Sequence, residues 1–219
     1  MARRGNLLDN VKSVCLSHHV EVNVYVGDVT DEAFVVRSIQ SFQSQFGSLG
    51  IVFANAGIGA ADPIWRGESE SVHRVINTNI RGVVNTVFAA TPIMVKQQSG
   101  KIIVISSIAA FRGLPRHGAY SGSKIAIRTM VDGWRYDLVR NNIQITTIHP
   151  GFIKTPLVNN NRLMPFLMDV DLAIKKIISA VDAGKKSYIF PWQWRWVILL
   201  SRIIPDWLIQ KVYFNKKAA

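Results

Sequence analysis

The sequence predicts an α/β fold, in which a parallel sheet carries helices on both faces. Short runs rich in Ile and Val alternate along the chain with longer segments of helical periodicity. These apolar runs lack strict alternation with polar residues, which is typical of strands that are buried on both faces. The 219 residues, 48% of them hydrophobic and 18% charged, suffice for one domain with a sizeable core.

The first half of the chain contains three predicted helices and two predicted strands. We predict helices over residues 5–19, 31–46 and 69–98, and strands over residues 21–26 and 49–54. Thr30 or Asp31 suits the N-terminal cap of the second helix, and Gly47 ends it. We expect an interruption of the third helix near Pro92, since proline removes a helical hydrogen bond.

The second half continues the alternation and brings several turns to one edge of the sheet. We predict strands over residues 101–105, 143–148 and 187–190, and helices over residues 118–140 and 171–183. Because ligands bind outside the carboxyl ends of parallel strands, the turns that follow the strands should form one crevice. These turns are Gly27-Asp28, Asn55-Ala56-Gly57, Ser106-Ser107 and Pro150-Gly151.

Tyr120 and Lys124 stand four residues apart in the predicted helix over 118–140. This spacing places both side chains on one helix face, about one turn apart. An ammonium group beside a phenol favours the phenolate and lowers the pKa of the phenol. The pair therefore suits a general acid or base, although the same spacing also arises by chance on surface helices.

The composition restricts the partners of the chain. Cys15 is the only cysteine and no histidine cluster has the spacing of metal ligands, so we expect no disulfide and no metal site. The net charge of +12 suits nucleic acid, anionic lipid or a phosphorylated cofactor. Because we find no nucleic-acid recognition motif and no basic run outside the C-terminal tail, we do not expect a nucleic-acid partner. The first ten residues lack the apolar stretch of a signal peptide, which favours the cytoplasm.

Five short motifs together resemble those of the short-chain dehydrogenase/reductase family. They are Asn55-Ala56-Gly57, Asn79-Ile80-Arg81-Gly82, Ser107 thirteen residues before a tyrosine, Tyr120 with Lys124, and Pro150-Gly151 followed by Thr155. The resemblance extends from Ala2 to about Pro191 and implies a Rossmann-type sheet. It also implies a hydride transfer between a nicotinamide cofactor and a carbonyl or alcohol carbon.

The resemblance implies a role for each catalytic residue. Tyr120 would transfer the proton to or from the substrate oxygen, and Ser107 would hold that oxygen. Lys124 would lower the pKa of Tyr120 and bind the nicotinamide ribose, and Asn79 would support a water in a proton relay. We interpret the neighbouring Ser106 as structural.

The resemblance also implies residues that bind the cofactor. Asn55, Ala56, Gly57, Pro150, Gly151 and Thr155 would line the nicotinamide half, with Tyr120 and Lys124. Asp28 and Val29 would meet the adenine, although Asp28 also suits a turn or helix cap. Arg3 and Arg4 match positions that hold a 2′-phosphate in some members, which favours NADP over NAD. The alternative for this arginine pair is a disordered basic terminus.

One element of the family pattern is absent from the sequence. No glycine-rich turn of the form T-G-x-x-x-G-x-G occurs, and we expect the first strand, the first helix and most of the second strand to be missing. The strand at 49–54 should then be an exposed apolar edge, and dinucleotide binding should be weak. The hypothesis is an N-terminally incomplete reductase, with a catalytically impaired binding or scaffold protein as the alternative.

The chain divides into a Rossmann-type domain over residues 1–190 and a basic, Trp-rich tail over residues 191–219. The tail holds four of the six tryptophans and suits contact with a membrane surface, packing over the substrate pocket or an oligomer contact. Apolar residues of the preceding loop favour an apolar substrate, unless they only fill core contacts; they are Leu157, Leu163, Met164, Phe166, Leu167 and Met168. Members of the family commonly pair through their long helices, so we expect a homo-oligomer.

Overall fold

The sheet consists of four parallel strands in the order β1-β2-β3-β4. The computed structural model describes residues 1–155, 164–201, 203–205 and 207. The strands are β1 (Ile51–Ala54), β2 (Gly100–Ile105), β3 (Ile143–Pro150) and β4 (Ser187–Phe190). Each follows its neighbour through a helical connection, which confirms the predicted α/β class.

Helices cover both faces of this sheet. They are α1 (Gly5–Ser17), α2 (Glu32–Phe46), α3 (Glu70–Ile76), α4 (Gly82–Gln97), α5 (Gly118–Leu138), α6 (Val170–Asp182) and α7 (Gln193–Ser201). One hydrophobic cluster joins α2, α4 and α5 to the sheet through residues such as Val35, Val87 and Ile127. A second cluster on the opposite face joins Ile103 and Ile148 of the sheet to α6. The doubly wound arrangement predicted from the sequence is therefore present.

The predicted strand at residues 21–26 does not form. The segment makes only one isolated parallel bridge, between Ala2 and Val26, with the amide of Ala2 donating to the carbonyl of Tyr25. A strand is stabilised by a ladder of backbone hydrogen bonds to a neighbour. Among the described residues only Ala2 forms a backbone bridge with this segment, so the alternating pattern does not produce a strand.

The long helical segment is interrupted at a different place from the predicted one. Pro92 lies inside α4, whereas a π-helical turn at Asn77–Arg81 separates α3 from α4. Such turns insert an extra residue into a helix and frequently occur at functional sites. This turn presents Asn79 toward the carboxyl ends of the strands, where its side chain is fully buried.

Strand β1 forms one edge of the described sheet and exposes apolar residues. Ile51 is 49% exposed and Phe53 is 50% exposed, while Val52 and Ala54 point into the core. Helix α1 likewise has no buried residue and exposes Leu7, Val11 and Val14. The expected exposed apolar edge is thus present.

The described part of the tail begins with α7, which packs against the domain. Ile198 is buried, and the guanidinium of Arg112 donates to the carbonyl of Ile204 at 3.2 Å. Leu157 and Leu163 of the preceding loop lie outside the described residues. Within those residues, no helix combines the length and apolar character that crossing a bilayer requires.

Candidate active site

Tyr120 and Lys124 lie in the first two turns of α5, as their spacing predicts. Lys124 is only 5% exposed, and its Nζ donates to the carbonyl of Ile105 at 2.9 Å. The Nζ lies 5.8 Å from the centroid of the Tyr120 ring. Since Ile105 ends β2, this hydrogen bond connects α5 to the carboxyl edge of the sheet.

Burial sets the acidity of both groups. Burial raises the pKa of Tyr120, and a hydrogen bond with the Ser107 side chain acts in the opposite direction. Burial also lowers the pKa of Lys124 to about 8. The predicted lowering of the pKa of Tyr120 is therefore wrong in its net direction, because burial of the phenol, which disfavours the phenolate, is the largest effect.

Two adjacent serines follow β2 and have different partners. The Ser107 hydroxyl accepts from the amide of Ala109 at 3.1 Å, which caps the short 3₁₀ turn over 108–110. The Ser106 hydroxyl is buried and donates to the Lys124 carbonyl at 3.2 Å. Ser107 is thus next to Tyr120, and Ser106 has the structural role that the sequence predicts.

Asn79 connects three parts of the site. Its Oδ1 accepts from the amide of Ile58 at 2.8 Å, and its Nδ2 donates to the Ile58 carbonyl at 3.0 Å. The Nδ2 also donates to the hydroxyl of Ser123 at 3.0 Å. Ser123, which the sequence analysis missed, in turn donates to the carbonyl of Tyr120 at 2.7 Å. The sequence feature that could have identified Ser123 is its position three residues after Tyr120, close to it in the same predicted helix.

The turn after β1 approaches these side chains closely. Asn55, Ala56 and Gly57 follow the strand, and a Cβ atom at Gly57 would lie 3.4 Å from both Asn79 Oδ1 and Lys124 Nζ. The Lys124 ammonium has three donors, of which the described residues accept one. The open backbone and the spare donors of the ammonium fit the ribose hydroxyls of a nicotinamide cofactor.

A second residue that the sequence analysis missed anchors the start of α5. Asp62 accepts hydrogen bonds from the amides of Gly118 at 3.0 Å and Ala119 at 2.5 Å. The amide of Asp62 also donates to the carbonyl of Arg116 at 2.9 Å. This carboxylate caps the helix that carries Tyr120 and thereby fixes the loop after β1 against it.

The residues predicted to bind adenosine form a separate group. Asp28 accepts from the amide and hydroxyl of Thr30, and Arg3 lies 3.6 Å from its carboxylate. The backbone hydrogen bond from Thr30 holds the pKa of Asp28 below its usual value. Val29 packs against Gly82 of α4, whereas Arg3 and Arg4 are exposed. Asp28 thus has the turn role, and Asp31 caps α2.

The turn after β3 contacts both β2 and the tail. His149 Nδ1 lies 3.3 Å from the Ser107 carbonyl, and burial lowers the pKa of this histidine to about 4. Pro150 pairs in register with Phe190 of β4, and the ring of Trp194 packs against Gly151. Thr155 is the last described residue before the gap at 156–163. His149 and Trp194 carried no sequence signal for a site, since their roles depend on contacts distant in the chain.

In the parts of the chain that the structure describes, no three His, Cys, Asp or Glu side chains come together as a metal ion would require.

Comparisons with known proteins agree with this arrangement. A family model described as short chain dehydrogenase matches residues 1–165. A relative from Myxococcus xanthus (strain DK1622), named "Uncharacterized oxidoreductase", is 35% identical over 180 residues, which are 82% of this chain and 71% of that protein. A 3-oxoacyl-(acyl-carrier-protein) reductase from Thermotoga maritima is 32% identical over 137 residues, which are 63% of this chain and 56% of that protein.

A solved structure shares the architecture. The chain matches an NAD⁺-bound xylitol dehydrogenase with a TM-score of 0.76 and 23% identity, over 86% of this chain and 85% of that one. This similarity shows the fold. Together with the family model, it leads to one assignment: the chain belongs to the short-chain dehydrogenase family of nicotinamide-dependent oxidoreductases.

Proposed function

We propose that the protein interconverts a carbonyl and an alcohol with NADP(H), and that its substrate is apolar. The observation that carries this proposal is the placement of the buried Lys124 ammonium, 5.8 Å from the centroid of the Tyr120 ring and hydrogen-bonded to the end of β2, which Ser107 closely follows. The three groups provide a proton donor, a hydroxyl for the substrate oxygen and a cation. A nicotinamide cofactor, when bound, supplies the hydride chemistry.

Each residue has a defined task in this proposal. Tyr120 donates its phenolic proton to the carbonyl oxygen during reduction and takes it back during oxidation. Ser107 donates a hydrogen bond to the same oxygen and keeps it near the phenol. Lys124 directs its spare donors to the cofactor ribose, and Asn79 holds the backbone of Ile58 beside the site. Proton transfer of this kind contributes roughly 10²–10⁴-fold to a rate.

The choice of NADP depends on the basic N-terminal residues. The Arg3 side chain is 66% exposed and its guanidinium lies 3.6 Å from the Asp28 carboxylate, so we infer that it can turn to a 2′-phosphate. Arg4 lies next to it and is exposed. An arginine fork suits a phosphate better than a ribose hydroxyl. We expect Arg3→Ala to weaken NADPH binding more than NADH binding.

The apolar substrate is inferred from the loop beside the crevice. Phe166 and Leu167 are partly exposed there, and Phe166 contacts Trp194 at 5.9 Å between ring centroids. Met168 has a different role, since it is buried in the cluster around α6. The exposed Phe166 and Leu167 therefore support contact with an apolar substrate, whereas the buried Met168 supports the alternative of core packing.

The alternative of a binding or scaffold protein is less favoured. A buried ammonium with one hydrogen-bond partner is unfavourable for stability, because desolvation is only partly compensated. A scaffold has no need of such a group beside a phenol. Groups that lower the stability of the fold in this way are typical of functional sites.

We also propose that tight dinucleotide binding requires a glycine-rich strand–helix unit that the sequence does not contain. The half-exposed Ile51 and Phe53 of β1 and the uncovered apolar side of α1 support this proposal. Such a unit would cover both surfaces and place a helix N-terminus at the pyrophosphate. We therefore expect weak binding of NADPH by the 219-residue chain.

Two further proposals concern assembly and location. The exposed Phe88 of α4 and Tyr136 of α5 support a homo-oligomer formed through these helices, which light scattering would detect. We place the protein in the cytoplasm, with part of it at a membrane surface.

A direct test uses two matched tyrosine variants. Tyr120→Phe should lower the rate of NADPH-dependent reduction of a long-chain ketone by about 10²–10⁴-fold, measured at NADPH concentrations high enough to offset weak binding. Tyr136→Phe is the control, because its phenol is 78% exposed and distant from the site. Equal activity of Tyr120→Phe and the wild type would exclude the proposed mechanism.

A further inference from the structure

The outer side of α7 and the residues next to it form an exposed apolar surface. Six large apolar side chains between positions 192 and 207 are each more than half exposed; they are Trp192, Trp196, Leu199, Leu200, Ile203 and Trp207. Single exposed apolar residues are ordinary, but a concentration of this kind marks an interaction surface. We call these six residues the tail surface.

The helix is held to the domain by its opposite side. Trp194 packs against Gly151 and makes edge contacts with Phe152 and Phe166, at 5.7 and 5.9 Å between ring centroids. Ile198, four residues later, is buried. These two positions share one helix face and fix the orientation of α7.

The tail surface has the periodicity of a helix face that is meant to be covered. Within α7, positions 196, 199 and 200 follow the i, i+3, i+4 pattern of an apolar stripe, and Ile203 lies just beyond the end of the helix. Each of these side chains is more than half exposed, while the opposite face of α7 packs on the domain. The remaining apolar stripe therefore faces outward for contact with something other than this chain's own core.

Charge identifies the kind of partner. From Lys185 to Ala219 the sequence holds seven Lys or Arg residues, at positions 185, 186, 195, 202, 211, 216 and 217, against one acidic residue, Asp206. Tryptophan and basic residues around an apolar stripe suit the boundary between lipid headgroups and acyl chains. We infer that the tail surface docks the protein on membranes that carry anionic lipids, with α7 lying flat in the interface.

The length of the helix agrees with this orientation. The nine residues of α7 span about 14 Å, well below the roughly 30 Å of a bilayer's hydrocarbon core. Docking is therefore peripheral and should weaken as salt screens the basic residues. Membrane docking does not depend on the proposed reaction, so a vesicle-binding assay tests docking independently of enzymatic activity.

The test measures sedimentation of the full chain with lipid vesicles. Vesicles of phosphatidylcholine with about 30% phosphatidylglycerol should bind the wild type at low salt, and pure phosphatidylcholine should bind it at least tenfold less. The double variant Trp196→Ser with Leu200→Ser should lose about tenfold or more of the binding. Trp65→Ser is the matched control, since Trp65 is 64% exposed on a loop outside the tail surface, and it should bind as the wild type does.

Three results would overturn the inference. One is equal vesicle binding by the double variant when circular dichroism shows that it is folded. Another is absence of binding to anionic vesicles by the wild type. The third is a dimer that the same double substitution dissociates in the absence of lipid, because a second copy would then be the occupant of the tail surface.

Discussion

The ring of Trp194 occupies the space into which a side chain at Gly151 would project, with its Cδ1 atom 2.7 Å from the position of a Cβ atom there. The contact joins the tail to the turn that ends β3. The indole of the tail therefore leaves no room for a side chain at position 151. This gives the tail an internal role in addition to its exposed surface.

We expect Gly151→Ala to lower the free energy of unfolding by about 1–3 kcal/mol, because the added methyl group collides with the indole. Trp194→Ala should remove most of this penalty when the two substitutions are combined. Urea denaturation of the two single variants and the double variant measures the coupling. Gly133→Ala is the control, since a Cβ atom there meets nothing within 4 Å. A penalty that is the same with and without Trp194 would mean that the contact is not its cause.

Replacing the buried ammonium of Lys124 should lower the enzymatic activity and raise the stability of the fold. Lys124→Met should abolish most of the activity and raise the free energy of unfolding at pH 7 by about 1–2 kcal/mol, because it removes a desolvated charge. Burial lowers the pKa of Lys124 from its ordinary value of 10.5 to about 8, so the penalty is complete below pH 8 and disappears as the pH rises to 10.5. Urea denaturation at pH 7 and at about pH 10 tests this trend. A gain that is independent of pH would contradict it.

His149 should make the fold sensitive to acid. Burial lowers its pKa from the ordinary value of 6.5 to about 4, so the unfolded chain binds the proton first and stability falls as the pH drops from 6.5 to 4. His149→Asn keeps a donor for the Ser107 carbonyl without titrating, and should reduce this loss by about 2–3 kcal/mol. Urea denaturation at about pH 7 and about pH 4 of the wild type and of His149→Asn measures this loss, and an equal loss in both would contradict the prediction.

The hydrogen bonds of Asn79 should contribute to stability as a group. Asn79→Ala leaves the amide and the carbonyl of Ile58 without their partner and should destabilise the fold by about 2–4 kcal/mol. Ser123→Ala should cost about 1 kcal/mol, and less in the Asn79→Ala background because the two side chains share a hydrogen bond. The exposed Asn77 of the same turn provides the control, for which Asn77→Ala should change stability by less than about 0.5 kcal/mol. Purely additive effects of the two substitutions would rule out the coupling.

Local patterns in the sequence predicted most of the fold. The apolar runs that became β1 to β4, the Asp31 cap and the Tyr120–Lys124 spacing are all local signals. The strand at 21–26 was predicted wrongly, because strand formation depends on a neighbour that the local pattern does not reveal. The direction of the pKa shift of Tyr120 was also wrong, because it depends on burial by distant segments.

The contacts that the sequence analysis missed share one property. Asp62 reaches Gly118 across 56 positions, and Asn79 reaches Ser123 across 44. His149 and Ser107 are 42 positions apart. Each joins two segments that are far apart in the sequence and meet near the carboxyl edge of the sheet. The topology predicts that these segments are close, but only the three-dimensional structure identifies the atoms.

The π-helical turn at Asn77–Arg81 works as a one-residue insertion that resets the phase of the helical segment. The buried positions 75, 79, 83 and 87 are each four residues apart. In a regular α-helix each four-residue step overshoots a full turn by about 40°, so three steps would move the last position about 120° off the buried stripe. The wider turn absorbs about one residue, or roughly 100°, of this drift. Deleting a single residue within 77–81 would therefore restore a continuous α-helix, and it would rotate Asn79 out of alignment with the core positions that follow it.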